Sequence, residues 1–161
     1  MPAATPEIVS LGRDHAIGIW HCFLIQIWRH GTSLDCARTV RDAAKRLAAE
    51  REGALATIIV VESGAAMPDG DTRAELARMV DDQKGRMVAA ALVHEGSGFR
   101  AAAVRAVMTG MMTLAKQPFP HHVVANVADG AKWLATRERL PAGDVAEIER
   151  VVEALRAKIP G

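Results

Sequence analysis

Residues 55–61, Leu-Ala-Thr-Ile-Ile-Val-Val, constrain the fold more than any other stretch of this chain. A continuous apolar run of this length suits a strand covered on both faces, which belongs in a sheet with helices above and below it. Helical periodicity flanks the run on each side. Upstream, Ala37, Val40, Ala44, Leu47 and Arg51 share one helical face, while Arg38, Asp42, Lys45 and Ala49 share the other. Thr32 or Ser33 is the expected N-cap of this helix, and Gly53 the glycine expected just beyond its end. Downstream, Thr72 and Glu75 match a capping box opening a helix that runs to Gly85.

The alternation continues. Met87 to His94 reads as a second buried strand, and Gly96-Ser97-Gly98 turns into a long helix reaching about Lys116, where Pro118 and Pro120 stop it. His121 to Asn126 is a further strand, and Asp129 to Thr136 a short helix carrying Trp133 and Leu134. Ahead of all this, Ile8 to Leu11 is a short candidate strand, followed by turn chemistry at residues 12–15. The Ile-, Trp- and Phe-rich run from Ala16 to Arg29 is too long for one strand, so it breaks near His21-Cys22 into two antiparallel pieces. Strands first and helix–strand alternation afterwards predict an α/β protein. Its mixed sheet has five to six strands and is partly parallel, with right-handed crossovers.

Composition narrows the class. With 161 residues, half of them hydrophobic, the chain can bury a core as one domain. The net charge of +1, with Lys and Arg interleaved among Asp and Glu, argues against nucleic acid as a partner. Cys22 and Cys36 form no disulfide framework and no C-x-x-C pair. Residues 1–7 lack the basic and apolar regions of a secretory leader, and the longest apolar run, Ala16 to Trp28, is too short to span a bilayer. A cytoplasmic location is expected, with no membrane span.

The residues Leu24-Ile-Gln-Ile-Trp28-Arg-His-Gly31, Ile58-Ile-Val-Val-Glu62, Glu95-Gly-Ser-Gly-Phe99 and Val127-Ala-Asp-Gly-Ala-Lys-Trp133-Leu134 give residues 15–136 a pattern. It resembles the STAS domain of bacterial anti-anti-sigma factors and the short bacterial STAS-like proteins. The resemblance implies a STAS-like α/β domain over residues 1–140, with 141–161 as an additional amphipathic helix packed on the domain or on a second subunit. It also implies a phosphoswitch, in which a hydroxyl at the helix start after the central strand is phosphorylated by a partner kinase. The matching stretch, residues 62–72, lacks the family's Asp-Ser-Ser-Gly and offers only Ser63 and Thr72. Some relatives use the fold to bind small molecules or lipids instead.

In open α/β sheets, ligands gather at the C-terminal ends of the parallel strands. Those ends carry Ser63, His94, Glu95, Ser97, Gly98 and Asn126, which could converge on a ligand or an anion at the following helix N-terminus. His94 near Ser63 or Ser97 also admits a hydrolase reading. The plainer alternative is that strand ends are polar because they meet water. His121-His122 and His21-Cys22 are consecutive residues whose side chains diverge on a strand, so no metal is assigned, and no cofactor is expected.

The long helix is apolar on most of its surface. Phe99, Ala103, Val107, Met111 and Leu114 make one face, and Val104, Met108 and Met112 widen it. Such a helix is expected to be buried on more than one side, with Gly110 allowing close approach. In the tail, Asp144 and Glu147 suggest a capped start, and Val145, Ile148, Val152, Leu155 and Ile159 form a stripe that something must cover. Met108, Met111, Met112, Val152 and Leu155 are therefore the expected subunit interface. The leading functional expectation is a non-enzymatic regulatory or interaction module, a homodimer that engages a regulatory protein. The alternative is a small-molecule or lipid carrier with its pocket between the sheet and the Met-rich helix. A hydrolase-like enzyme using His94 is third.

Overall fold

A computed structural model describes residues 5–161; part of the N-terminal stretch 1–7, read above for a leader, therefore lies outside the described residues. Six strands form one mixed sheet in sequence order: β1 (Glu7–Leu11), β2 (His15–Trp20), β3 (Phe23–Trp28), β4 (Leu55–Val61), β5 (Met87–His94) and β6 (His121–Val124). The first two pairings are antiparallel and the last three parallel. The division of the long apolar run falls at His21-Cys22, a two-residue turn in which Trp20 pairs with Phe23 and His21 adopts a φ of 52°.

Five helices cover the sheet: α1 (Leu34–Glu50), α2 (Gly70–Asp82), α3 (Gly98–Leu114), α4 (Val127–Ala135) and α5 (Ala142–Arg156). Successive crossovers of one hand, all stepping in one direction across the sheet, place α1, α2 and α3 on the same face. The other face receives α4, which lies on β5 and β6, and α5, which lies on α4 and β2. Period-two alternation divides the strands accordingly. Phe23, Ile25, Ile58 and Val93 serve the α4–α5 face, where Gly130 of α4 sits directly on Val93, Ile58 and Val124. Gln26, Trp28, Ile59, Val61 and Leu92 serve the α1–α3 face.

Several helix ends differ from their sequence signals. Ser33 does cap α1, accepting from Cys36 N at 3.1 Å. That helix closes at Arg51, with Gly53 one residue further out than expected, at a φ of +86°. The carbonyls at this end are collected by Arg86, whose guanidinium donates to Ala48 O and Gly53 O at 3.0 Å each and to Arg51 O. The box at Thr72 and Glu75 is not what starts α2. Asp69 is the cap, accepting from Thr72 N at 2.8 Å, and Glu75 instead takes Arg41 of α1 and Arg78. Asp144 and Glu147 likewise do not open α5, which begins after Pro141, and Glu147 pairs with Arg150. The last strand ends at Val124, so that Asn126 caps α4 rather than closing β6.

The tail is resolved in favour of its own chain. Val145, Ile148, Val151, Val152, Leu155 and Ile159 are buried, and Leu155 lies against Gly18 of β2. Val152 and Leu155, read as interface residues, have no exposed surface, because packing within the chain covers the stripe.

The Met-rich helix departs furthest from expectation. No residue of α3 is buried. Phe99 and Leu114 are 92% and 84% exposed, Val107 and Met111 more than half exposed. Gly110, read as a point of close approach, faces open space. β6 meets α3 without burying any residue of it, and the tail does not cover it because α5 crosses the opposite side of the sheet.

Candidate ligand cavity

On the α1–α3 face, α3 stands off the sheet and leaves a cavity of about 320 Å³. Its floor is Gln26, Trp28, Ile59, Val61 and Leu92 from β3, β4 and β5. One wall is α2, through Arg73, Leu76, Met79 and Val80, with Met67 and Pro68 from the preceding loop and Thr32 from the loop before α1. The other wall is α3, through Met108, Met111 and Met112, and His121 and Gln117 close the far end. The lining is largely apolar, and five methionines give it side chains that adapt to shape. The one deep polar group is Gln26, whose Nε2 donates to Thr57 Oγ1 at 3.2 Å, and Thr57 donates in turn to Leu24 O.

A smaller cavity of about 270 Å³ lies on the C-terminal flank of α3, lined by Thr109, Thr113, Lys116, Phe119 and His122. Met112, Gln117 and His121 border both spaces. The two histidines diverge as adjacent strand residues do: His121 stacks on Phe119, and His122 crosses to the other face against Trp133 of α4. Burial holds the His121 imidazole below its ordinary pKa, outweighing its bond to Phe119 O.

The strand-end residues meet only in part. Glu62 and Glu95, following β4 and β5, converge on arginines rather than on an open site. Arg156 of α5 binds Glu95 at 2.6 Å, and Arg29 binds Glu62 at 2.9 Å. Ser63 lies beside Gly96, and Ser97 caps α3 without a side-chain bond. His94 turns inward: its Nδ1 is buried without a partner, and burial followed by Arg105 keeps its pKa low. No hydrogen bond joins His94 to Ser63 or Ser97 among the described residues. Asn126 is occupied as a cap, accepting from Asp129 N at 2.8 Å. Thr72 is 1% exposed, which withdraws its hydroxyl from any kinase acting on the folded chain; Ser63 is exposed.

One cluster was not foreseen in the sequence. Ser10 Oγ lies 2.8 Å from His15 Nε2, and His15 Nδ1 lies 2.8 Å from Asp14 Oδ1, the order of partners in a serine-hydrolase triad. Cys36 Sγ approaches both ring nitrogens, at 3.6 and 3.8 Å, and the ring stacks on Trp28. His15 is only 9% exposed, so the imidazole is enclosed on several sides. The arrangement fastens the β1–β2 hairpin to α1 and braces Trp28, whose indole lines the cavity. The pairing of β1 with β2 brings Ser10 beside His15, a relation that turn chemistry at residues 12–15 did not suggest.

Among the described residues no group of three His, Cys, Asp or Glu side chains is placed to hold a metal ion, and no helix is long and apolar enough to cross a membrane. In comparisons with known proteins, no family model matches the chain, and no curated protein or solved structure is detectably similar to it.

Proposed function

We propose that this protein is a non-enzymatic binding module, STAS-like in its succession of strands and helices, that holds a small apolar molecule between the sheet and α3. The observation that carries this reading is the combination of an apolar cavity of about 320 Å³ with a helix above it that buries none of its own residues. Ligand sites are typically concave and mostly apolar, with a few polar groups. An apolar occupant would supply packing that α3 lacks against the sheet, and the methionines can close around it.

Native mass spectrometry on protein from its own host, followed by denaturing intact mass, tests this reading. The expected result is a noncovalent small-molecule adduct that disappears on denaturation. Ile59→Phe, which fills the cavity from its floor, should abolish the adduct. An adduct retained in that variant, or wild-type protein that carries and takes up nothing, would sink the proposal.

A second reading, the interaction module, is favoured by the outward face of α3, where Phe99, Val107, Met111 and Leu114 are all exposed. Two copies meeting through this face would form a homodimer. Sedimentation of wild-type protein against Val107→Glu distinguishes it: a dimer dissociated by the substitution supports pairing, and a monomer at all concentrations removes it.

A further inference from the structure

The cavity reading leaves the chemistry of the occupant open, and the hydrogen bonding of His121 narrows it. His121 Nδ1 lies 2.9 Å from Phe119 O. A carbonyl oxygen can only accept, so the proton of the neutral imidazole sits on Nδ1 and Nε2 presents a bare lone pair. Among the described residues no side chain or backbone group satisfies that nitrogen, and it is not sealed from solvent. His121 borders both cavities, with Met112 and Gln117 beside it, at the junction between the apolar space and its more polar neighbour.

From this geometry we infer that the occupant is an uncharged apolar molecule bearing a hydroxyl group, its body among the methionines and its O–H donated to His121 Nε2. The inference rests on the cavity reading. A hydroxyl donates to Nε2 directly. At His121 a carboxylate offers only lone pairs and would face the lone pair of the imidazole, and burial resists the protonation that could relieve this; Arg73, the cation of the lining, belongs to the α2 wall, where it donates to Pro68 O at 2.8 Å. A hydrocarbon fills the same space and leaves the nitrogen unpaired. His121 is thus the specificity-determining residue, separating alcohols and phenols from hydrocarbons of the same shape.

The test uses three probes of one shape on the full chain: 4-butylphenol, butylbenzene and 4-butylbenzoate, each titrated calorimetrically. The phenol is expected to bind about tenfold more tightly than butylbenzene, the worth of one well-placed hydrogen bond, and the benzoate most weakly. In His121→Phe, butylbenzene should bind as before and the phenol should lose its advantage. Equal affinity for phenol and hydrocarbon in the wild type, or a preference that survives His121→Phe, overturns the assignment while leaving the cavity reading intact. Tightest binding of the benzoate overturns it in favour of an anionic occupant. Failure of all three probes to bind removes the cavity reading and this inference together. The wild-type comparison alone decides the matter if the variant does not fold.

Discussion

Arg156, at the end of α5, grips Glu95, at the end of β5, through two parallel bonds: Nη1 to Oε1 at 2.6 Å and Nη2 to Oε2 at 2.9 Å. Sixty-one residues separate them, and the pair locks the C-terminal helix to the edge where the parallel strands end. Both side chains are mostly covered, at 19% and 26% exposed. Planar two-pronged pairing of this kind is stronger than an ordinary surface ion pair. Arg156→Met should therefore cost about 1–3 kcal/mol, because it leaves the mostly covered Glu95 without its cation. Urea denaturation measures this, and an unchanged midpoint would show that the pair contributes nothing.

Two glycines should respond in opposite directions to the same substitution. A Cβ on Gly18 would stand 3.0 Å from both Glu7 O and Leu155 Cδ2, where backbone and a fully buried leucine leave little room. Gly18→Ala should destabilise by about 1–3 kcal/mol through overpacking. A Cβ on Gly110, within α3, meets nothing within 4 Å. Gly110→Ala should stabilise by up to about 1 kcal/mol, from helix propensity alone. Thermal melts of the two variants decide both.

Stability should fall in two steps as pH is lowered. His94 and His121 have folded pKa values held below 6.5, chiefly by burial. The unfolded chain therefore takes up protons at these residues first, and stability drops as pH falls below about 6.5. Asp14 and Asp82 have lowered pKa values because His15 and Arg41, respectively, hydrogen-bond to the ionised forms. Their contribution is present above the ordinary carboxylate range and is lost below about pH 4. Melting temperatures from pH 8 to 3 would reveal the steps, and His121→Phe should flatten the upper one.

Hydrogen exchange should separate α3 from the rest of the molecule. Amides of β4 and β5, buried on both faces, should exchange only on global unfolding. Those of α3, a helix with no buried residue, should exchange far sooner and slow down when the cavity is filled. Equal protection of α3 and β4 in the ligand-free protein would refute this picture of a loosely held cover.

The strands were largely legible because their signal is local. The run at residues 55–61 and the run at 87–94 have the bounds of β4 and β5, and the break at His21-Cys22 is where the hairpin turns. Capping was less legible: Asp69, Thr72 and Glu75 are all plausible at a helix start, and the choice depended on Arg41 drawing Glu75 away. At the candidate site, a cavity lies between the sheet and the Met-rich helix, where a pocket was suggested, whereas of the strand-end residues Glu95 is held by Arg156, Asn126 serves as the α4 cap, and no hydrogen bond among the described residues joins His94 to Ser63 or Ser97.

Sequence by itself determined the element types, the α/β class and the two-sided burial of the central strands, since these follow from periodicity and side-chain shape within a few residues. Tertiary structure decided which apolar stripes found cover. The stripe on α5 is buried because that helix folds back across β2 and α4, and the one on α3 stays open because the later helices α4 and α5 lie on the other face of the sheet. Hydrophobic periodicity records only that a face is apolar. What covers it depends on the path of the rest of the chain, and that path also joined Ser10 to His15 and Arg156 to Glu95.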